Sequence, residues 1–232
     1  ERLLDLQPGE RLLDVACGQG VLLERLSRRP DHGPMVGVDA SPTLIEAGRR
    51  LLGDRATLAV GDARNLPEVL ADHPPASFDA AACVLALMNI DDLGAVCRGV
   101  SAMLRPGGRF VAVILHPAFR APQTSAWGWT TDGRTGVPVQ FRRVDRYLGE
   151  RASEIVMNPG RAAAGDRPVT TTTHHRPISA YVTRFGEHGL LIDAMEEWVS
   201  DRSSEPGPRA EAENTARAEI PMFLALRARR IG

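Results

Sequence analysis

The first 115 residues alternate between short apolar runs and segments with helical periodicity, and this alternation restricts the fold more than any other feature of the sequence. The apolar runs predict buried strands, and the segments between them carry the signals of crossover helices. Strands that are joined through helices pair in parallel, and a parallel sheet has helices on both faces. The sequence therefore predicts a doubly wound α/β fold. Its first five strands are expected at residues 11–16, 35–39, 57–60, 78–87 and 109–115.

Two of the predicted crossover helices have clear ends. Ser41 followed by Pro42 is typical of a helix start, with Ser as the N-cap and Pro at the first helical position. Residues 91–104 predict a later helix, and the Arg-Pro-Gly-Gly sequence at 105–108 predicts a turn between this helix and the fifth strand.

The alternation stops after the fifth strand and returns only in the last quarter of the chain. Residues 116–176 are rich in Pro, Gly, Thr and Arg, and so long a segment without regular structure is unusual in a compact domain. We therefore expect a β-rich, substrate-binding insertion (a cap) at 116–176 and a main domain formed by residues 1–115 and 177–232. Strands in the insertion are predicted at 137–147, 151–157 and 169–176, with a turn at 158–160.

Composition argues against several classes of protein. Lys and Arg number 28 against 29 Asp and Glu, which gives a net charge of -1 and no basic stripe for nucleic acid. The arginine-rich stretch 227–230 is interpreted as a solvated chain end. No apolar run reaches the roughly 18 residues of a membrane span, no secretory signal is visible, and no metal-binding motif is present. We expect a cytoplasmic monomer or homodimer that acts on a small molecule. Because the chain begins at Glu1 rather than Met, a further N-terminal segment is also expected.

Acidic residues stand near the ends of the first three predicted strands. Asp14 precedes a turn in which Gly18 and Gly20 would let the backbone approach a ligand closely. Asp39 ends the second strand, where an acid can accept both ribose hydroxyls of an adenosine. Asp62 follows the third strand, where an acid can accept a hydrogen bond from an adenine amino group. Open α/β sheets bind ligands at the edge where these strands end, so the three acids predict a nucleoside site there.

Taken together, these segments resemble the ordered motifs of class I S-adenosylmethionine-dependent methyltransferases, in the small-molecule, type 11 branch that includes the ubiquinone-pathway enzymes. The stretches that carry the resemblance are LLDVACGQG, GVDASPTLIEAGRR, VGDARNLP, FDAAACVLALMNI and LRPGGRF, with a weaker match in HHRPISAYVTRFGEHGLLIDAMEEW and EIPMFLALRARR. The resemblance implies a seven-stranded, mainly parallel Rossmann-like sheet whose last strand is antiparallel. It also implies S-adenosylmethionine as the cofactor.

The resemblance further implies a position for each cofactor-binding residue. Ala16 departs from the commonest form, which has Gly there, and we expect Ala to be tolerated at a negative φ. Cys17 and Cys83 are interpreted as small packing residues near the cofactor rather than as nucleophiles. The implied contacts are Asp14, Ala16, Cys17, Gly18 and Gly20 for the methionine end, Asp39 and Ala40 for the ribose, Asp62 and Ala63 for the adenine, and Cys83 and Leu85 for the sulfonium.

A hydroxyl acceptor would need a general base, and His is the usual choice near neutral pH. His116 directly follows the fifth strand, at the edge where the substrate enters, and is the first candidate. The alternative for His116 is a hydrogen bond to the backbone or a role in shaping the pocket. His174 and His175 end the last strand of the insertion and face opposite sides of it. The resemblance favours His175 as a second catalytic candidate, although a structural role is equally well supported.

Several other residues of the insertion have two open interpretations. Arg120 and Tyr147 are candidates for binding a carboxylate or a phenol, or else are surface or packing residues. The aromatic residues either line a pocket for a flat substrate or form the small core that the insertion needs. They are Phe119, Trp127, Trp129 and Phe141.

The leading hypothesis for function is O-methylation of a hydroxylated aromatic or polyketide-like small molecule. C- or N-methylation, which needs little or no base, is the nearest alternative, and a non-catalytic cofactor-binding homologue is another. A dinucleotide-dependent oxidoreductase is disfavoured because Leu23 stands where a third Gly is expected. An RNA methyltransferase is disfavoured because Met-Asn-Ile-Asp at 88–91 replaces an NPPY-type tetrapeptide.

Overall fold

In the computed structural model, which describes residues 1–156, 160, 163, 165 and 167–232, most strands join a single sheet. The strands of the described residues are β1 (Leu12–Val15), β2 (Met35–Asp39), β3 (Thr57–Val60), β4 (Phe78–Val84), β5 (Leu104–Leu115), β6 (Ser125–Thr131), β7 (Pro138–Val144), β8 (Arg151–Val156), β9 (Thr170–His175), β10 (Leu190–Trp198) and β11 (Phe223–Arg230). The main sheet has seven of them, in the order β10-β11-β5-β4-β1-β2-β3.

The pairing within this sheet confirms the predicted fold class. Strands β1 to β5 pair in parallel, whereas β11 pairs antiparallel with both β5 and β10. The last strand of the chain is therefore the antiparallel one, as the resemblance implied. The sheet is α/β and mainly parallel, with seven strands.

Helices cover both faces of the sheet. Leu13 and Val15 of β1 pack in one buried cluster, whereas Leu12, the first residue of β1, packs in the other. Residues of α4 and α5 join the first cluster and residues of α1 and α2 join the second, so the sheet is doubly wound. The helices are α1 (Val21–Leu26), α2 (Pro42–Leu52), α3 (Leu66–Val69), α4 (Leu93–Met103), α5 (Ile178–Glu187) and α6 (Ala210–Glu219).

The start of α2 is as predicted, but the end of α4 is not. The Ser41 hydroxyl accepts a hydrogen bond from the Leu44 N–H at 3.3 Å, and Pro42 is the first helical residue. The turn predicted at 105–108 is instead part of β5, which begins directly after α4. A register shift between Phe78 and Ala80 absorbs these residues as a bulge in the β4–β5 pairing.

Two small antiparallel sheets, β6–β7 and β8–β9, lie within the predicted insertion at 116–176. The sequence prediction missed β6, because its alternation of Trp and small residues carries little aliphatic signal. Met157 of the strand predicted at 151–157, and Asn158 and Pro159 of the turn predicted at 158–160, lie outside the described residues. The function of this segment as a substrate-binding cap stays a prediction.

The arginine-rich stretch 227–230 is not a solvated chain end. It forms the second half of β11, where Arg227 and Arg229 each donate to a different carboxylate oxygen of Asp193 on β10, at 2.8 and 2.7 Å. Ala228 between them is fully buried. None of the helices that the structure describes is long and apolar enough to cross a membrane.

Candidate functional site

The parallel strands end at one edge of the sheet, and a cleft of about 460 Å³ opens there. Loops that follow β1, β2, β3 and β4 form one wall of this cleft, and β9 of the insertion contributes to the other. A cavity of this size is sufficient for a small organic ligand. The lining residues are Ala16, Asp39, Ala40, Gly61, Asp62, Ala63, Arg64, Asn89, Ile90, Asp91, Thr172 and His174.

The turn between β1 and α1 is built from left-handed backbone conformations. Ala16, Gly18 and Gly20 have φ angles of 55°, 58° and 79°. A Cβ at Gly20 would also lie 2.6 Å from a methyl carbon of Leu52, so a larger residue there would require the buried Leu52 side chain to move. The expectation that Ala16 has a negative φ is wrong. The chain places a side chain where the conformation favours Gly, which costs about 1 kcal/mol or more.

This strain gives a testable prediction for stability. We expect Ala16→Gly to raise the free energy of unfolding by about 0.5 to 1 kcal/mol, because relief of the left-handed strain exceeds the added chain entropy of Gly. Ala47→Gly, within α2, is the matched control and should lower it by about 1 kcal/mol. Urea unfolding of both variants measures the difference. A loss of stability in Ala16→Gly similar to that in Ala47→Gly would contradict the assignment of strain.

Asp39 lies at the centre of the loop structure at this edge. Its two carboxylate oxygens accept hydrogen bonds from the backbone N–H groups of Gly18 and Ser41, at 2.8 and 2.9 Å. The side chain thereby links the turn after β1 to the start of α2, and it also faces the cleft. Each carboxylate oxygen retains a lone pair that a ligand hydroxyl can use.

Asp14 is buried in the same region and has no cationic partner among the described residues. Asp14 is a residue of β1 and is 2% exposed. Burial, together with the negative charge of Asp39, raises the pKa of Asp14 to about 8. A nearby positive charge stabilises the ionised form of a buried acid of this kind, so the position favours a cationic group of a ligand.

Asp62 has the opposite environment. The Arg64 side chain donates to both of its carboxylate oxygens at 2.6 to 3.0 Å, and these bonds hold the pKa of Asp62 below its usual value. A second amino group of Arg64 bonds Asp91 across the cleft at 2.8 Å. Asp62 is therefore ionised and fixed in position, and Ala63 beside it is small enough to leave the cleft open.

Six residues that the resemblance assigned to the cofactor do not line the cleft: Asp14, Cys17, Gly18, Gly20, Cys83 and Leu85. Cys83 is fully buried in the core, and burial raises the pKa of its thiol, so only its backbone is within reach of a ligand. Cys17 packs against the second core cluster, and burial likewise raises its pKa. Both environments keep the thiols protonated, as expected of packing residues. Leu85 has a φ of 57° and donates its N–H to the Val113 carbonyl at 2.7 Å.

Polar residues of the cleft that were not singled out from the sequence include Asn89 and Thr172, and His174 was considered there but His175 was favoured over it. The side-chain oxygen of Asn89 is buried without a hydrogen-bond partner among the described residues, so it is available to a ligand N–H group. Thr172 and His174 come from alternate positions of β9 and therefore share its cleft-facing side. The alternation of side chains along β9 was the available signal for this pair.

His116 lies at the predicted edge, but both of its ring nitrogens are engaged. Nδ1 accepts a hydrogen bond from the Ala118 N–H at 3.2 Å, so the proton is on Nε2, which donates to Glu197 at 2.7 Å. The ring is 2% exposed and stacks on Phe119 with a centroid distance of 4.7 Å. In this arrangement no lone pair of His116 is free to accept a proton, which argues against its role as the base.

His174 and His175 face opposite sides of β9, as predicted. However, His174 lines the cleft, and the favoured candidate His175 does not. His175 is buried and donates from Nε2 to the Tyr147 carbonyl at 2.7 Å. The Tyr147 hydroxyl in turn accepts from the Ile178 N–H at 2.9 Å, so both residues hold the insertion against the start of α5. His174 lines the cleft, and burial lowers its pKa, with a further contribution from the charge of Arg176. It is neutral near pH 7.

The residues at this edge fit the cofactor that the resemblance implies. S-adenosylmethionine carries an ammonium group, a ribose diol and an adenine amino group. The buried Asp14, the loop-bound Asp39 and the fixed Asp62 supply an uncompensated acid and two further carboxylates along one edge. The unpartnered oxygen of Asn89 adds a hydrogen-bond acceptor. Among the described residues, no group of three or more His, Cys, Asp or Glu is arranged to hold a metal ion.

Comparison with known proteins points to the same family. A family model described as a methyltransferase domain matches residues 12–108. The chain is 35% identical to a demethylmenaquinone methyltransferase from Symbiobacterium thermophilum over 114 residues, which are 46% of this chain and 43% of that protein. It is 38% identical to a ubiquinone biosynthesis O-methyltransferase from Xylella fastidiosa over 107 residues, 46% of this chain and 42% of that protein. The match thus spans less than half the length of these curated relatives.

Solved structures match almost the whole chain. The crystal structure of an S-adenosylmethionine dependent methyltransferase from Mesorhizobium loti is 30% identical, with a TM-score of 0.67. The alignment covers 96% of this chain and 92% of that one, so it includes the insertion and the last two strands. The chain therefore belongs to the class I S-adenosylmethionine-dependent methyltransferases.

Proposed function

We propose that this protein transfers the methyl group of S-adenosylmethionine to a hydroxyl group of an aromatic or polyketide-like small molecule, as in natural product biosynthesis. The observation that carries the proposal is the single cleft in which Asp39 and Asp62 from the sheet edge face His174 from the insertion. The curated relatives, one of which is named as an O-methyltransferase, add support.

The cofactor residues have separate tasks in this proposal. Asp14 binds the ammonium group of the methionine moiety, Asp39 accepts hydrogen bonds from the ribose hydroxyls, and Asp62 with Ala63 holds the adenine. When bound, the cofactor supplies an electrophilic methyl group on a sulfonium. The left-handed turn from Ala16 to Gly20 leaves room for the backbone to approach the methionine end.

His174 is the residue that can take a proton from the acceptor hydroxyl. It is neutral near pH 7, it lines the cleft, and none of the described residues is hydrogen-bonded to its ring. His116 lacks a free lone pair because its Nδ1 accepts from the Ala118 N–H, and His175 is buried outside the cleft lining, with its Nε2 bound to the Tyr147 carbonyl. The two candidates chosen from the sequence are therefore assigned to positioning, and His174 takes the role of base.

The experiment is an acceptor screen in which phenols are compared with the corresponding methyl ethers. We expect mass increases of one methyl group for phenols and none for the ethers. His174→Gln should lower kcat for the best phenol by about 100-fold or more and remove the fall in rate on the acid side, since general-base catalysis contributes at that scale. His116→Gln should change kcat much less. Loss of activity in His116→Gln, with His174→Gln unaffected, would return the role of base to His116.

C- or N-methylation is the second candidate, and the engagement of both nitrogens of His116 is the observation that favours it. An amine or an activated ring carbon needs little help from a base. Methylation of anilines or of ring carbons at a rate that does not depend on His174 would identify this reaction.

We further propose that the acceptor is a small molecule rather than a nucleic acid, and that the protein is cytoplasmic. The near-neutral net charge supports the first statement, and the three free cysteines, Cys17, Cys83 and Cys97, support the second. A monomer or a homodimer stays the expectation for the oligomeric state.

A further inference from the structure

A second and larger cavity, of about 790 Å³, lies beside the cleft at the same edge of the sheet. It is bounded by β6, by the loop that follows β10 and by the start of α6. Phe223, the first residue of β11, pairs with Leu115 at the end of β5 and with Trp198 at the end of β10. The ends of β5 and β10 therefore lie at the same edge of the sheet, which runs from the cofactor cleft to this cavity. We call it the arginine cavity, after four of its lining residues: Arg120, Arg202, Arg209 and Arg217.

A narrow space of about 30 Å³ lies between the arginine cavity and the cofactor cleft. Arg120 lines both this space and the arginine cavity, while His174 lines both this space and the cofactor cleft. The order along the sheet edge is therefore cofactor cleft, His174, Arg120, arginine cavity. The narrow space holds about one water molecule, so the passage has to widen when an acceptor extends into the cleft.

Most charges of the arginine cavity have partners or reach solvent, but Arg120 is different. Arg217 pairs with Glu213, and Arg202 lies on an exposed loop. The Nε of Arg120 is buried without a hydrogen-bond partner among the described residues, and its Nη2 makes only a long bond of 3.4 Å to the Ile220 carbonyl. A half-buried guanidinium whose Nε is buried and which has no carboxylate partner among the described residues favours a bound anion at this position.

Trp127 provides an aromatic wall beside this guanidinium. The Arg120 guanidinium carbon lies 5.0 Å from the centre of the Trp127 ring, and that of Arg142 lies 5.2 Å from it. Arg142 donates from Nε to the Phe119 carbonyl and from Nη2 to Ser125, and it does not line the arginine cavity. Arg120 is therefore the guanidinium at this ring that faces the arginine cavity, and the ring offers a flat apolar surface next to it.

We infer that the arginine cavity is the acceptor-binding site, and that it selects aromatic acids by pairing their carboxylate with Arg120 beside Trp127. This inference rests on the proposed methyl transfer and adds the class of acceptor to it. A monoanionic carboxylate is favoured over a polyphosphate because Glu205 and Glu213 also line the cavity and would repel a highly charged ligand. The hydroxyl end of the acceptor then points past Arg120 toward His174.

The test compares aromatic acids with their uncharged primary amides, which have nearly the same shape. Benzoate, 4-hydroxybenzoate, 3,4-dihydroxybenzoate and 4-hydroxycinnamate are each titrated against the amide, with S-adenosylhomocysteine present. We expect at least one acid to bind about tenfold or more tightly than its amide, as a charge-assisted hydrogen bond to a guanidinium provides. In Arg120→Gln this ratio should fall to about one, and Arg120→Lys should retain part of it. Arg50→Gln, an exposed residue of α2 paired with Glu46, is the matched control and should leave the ratio unchanged.

The inference is overturned if no acid is preferred over its amide, or if the preference persists in Arg120→Gln. It is also overturned if pyrophosphate alone shows Arg120-dependent binding. Titration with S-adenosylmethionine is carried out separately on each variant, and Arg120→Gln should bind it within about twofold of the wild type. Acid binding that depends on Arg120, in a protein that methylates none of these acids, would contradict the proposed methyl transfer and leave the cavity assignment in place.

Discussion

Asp39→Ala should weaken the binding of S-adenosylmethionine by about 100-fold or more. In the wild type its carboxylate accepts from the Gly18 and Ser41 N–H groups and faces the cleft, so a ribose diol would bind to an acceptor that is already held in place. Removing it costs the hydrogen bonds to the diol and loosens two loops, and about 2.7 kcal/mol corresponds to a 100-fold loss. Isothermal titration with the cofactor measures the change.

Asp54→Ala is the control for this prediction, because Asp54 is an exposed acid that follows α2 and lies outside the cleft. It should leave the affinity unchanged, and NADH should bind to neither variant nor to the wild type. Thermal unfolding of Asp39→Ala shows whether the fold survives the loss of the two loop bonds. A folded Asp39→Ala protein that binds the cofactor as the wild type does would remove Asp39 from the site.

The positions of Asp39 and Asp62 could be predicted because they depend on local sequence. A short apolar strand ends where its polar residues begin, and parallel strands bring such ends together whatever the rest of the chain does. The same reasoning located the turn at Gly18 and Gly20. Strand ends therefore carried most of the information about the cofactor cleft.

The role of the histidines could not be predicted, because it depends on residues far away in the sequence. His116 is bound by Glu197, and His175 by the Tyr147 carbonyl. Each partner is distant in sequence from its histidine, and no periodicity places it there. The position of His116 at this edge was visible in the sequence, whereas its burial and the loss of its free lone pair were not.

The φ of Ala16 and the environment of Arg120 were hidden for different reasons. A non-Gly residue in a left-handed turn contradicts local preference, and such exceptions are sustained by the surrounding structure. The isolation of Arg120 from carboxylates results from how the insertion packs against the loop after β10. Irregular segments of this kind lack the hydrophobic periodicity from which packing contacts can be predicted.

Binding of S-adenosylmethionine should release up to roughly one proton at pH 7, because Asp14 with a pKa of about 8 is mostly protonated before the cofactor arrives. The cofactor ammonium favours the ionised carboxylate and lowers this pKa, so the proton leaves on binding. Titration calorimetry in buffers of different ionisation enthalpy gives the number of protons. Asp14→Asn should bind more weakly and release none. Asp62→Asn is the matched control: Asp62 is already ionised, so its loss should weaken binding without changing the proton count.

The same group should make the stability of the free protein depend on pH. Because the pKa of Asp14 is raised from 3.8 to about 8 on folding, the folded state holds more protons than the unfolded state between these values. The free energy of unfolding therefore falls as pH rises through this window, by at most about 1.4 kcal/mol per pH unit from this group. Asp14→Asn has no such group, so the stability of the wild type relative to this variant should decrease steadily from pH 5 to about pH 8 in urea unfolding experiments. Parallel pH profiles for the two proteins would show that Asp14 is not a buried, uncompensated acid, and that its carboxylate already has a positive partner before the cofactor binds.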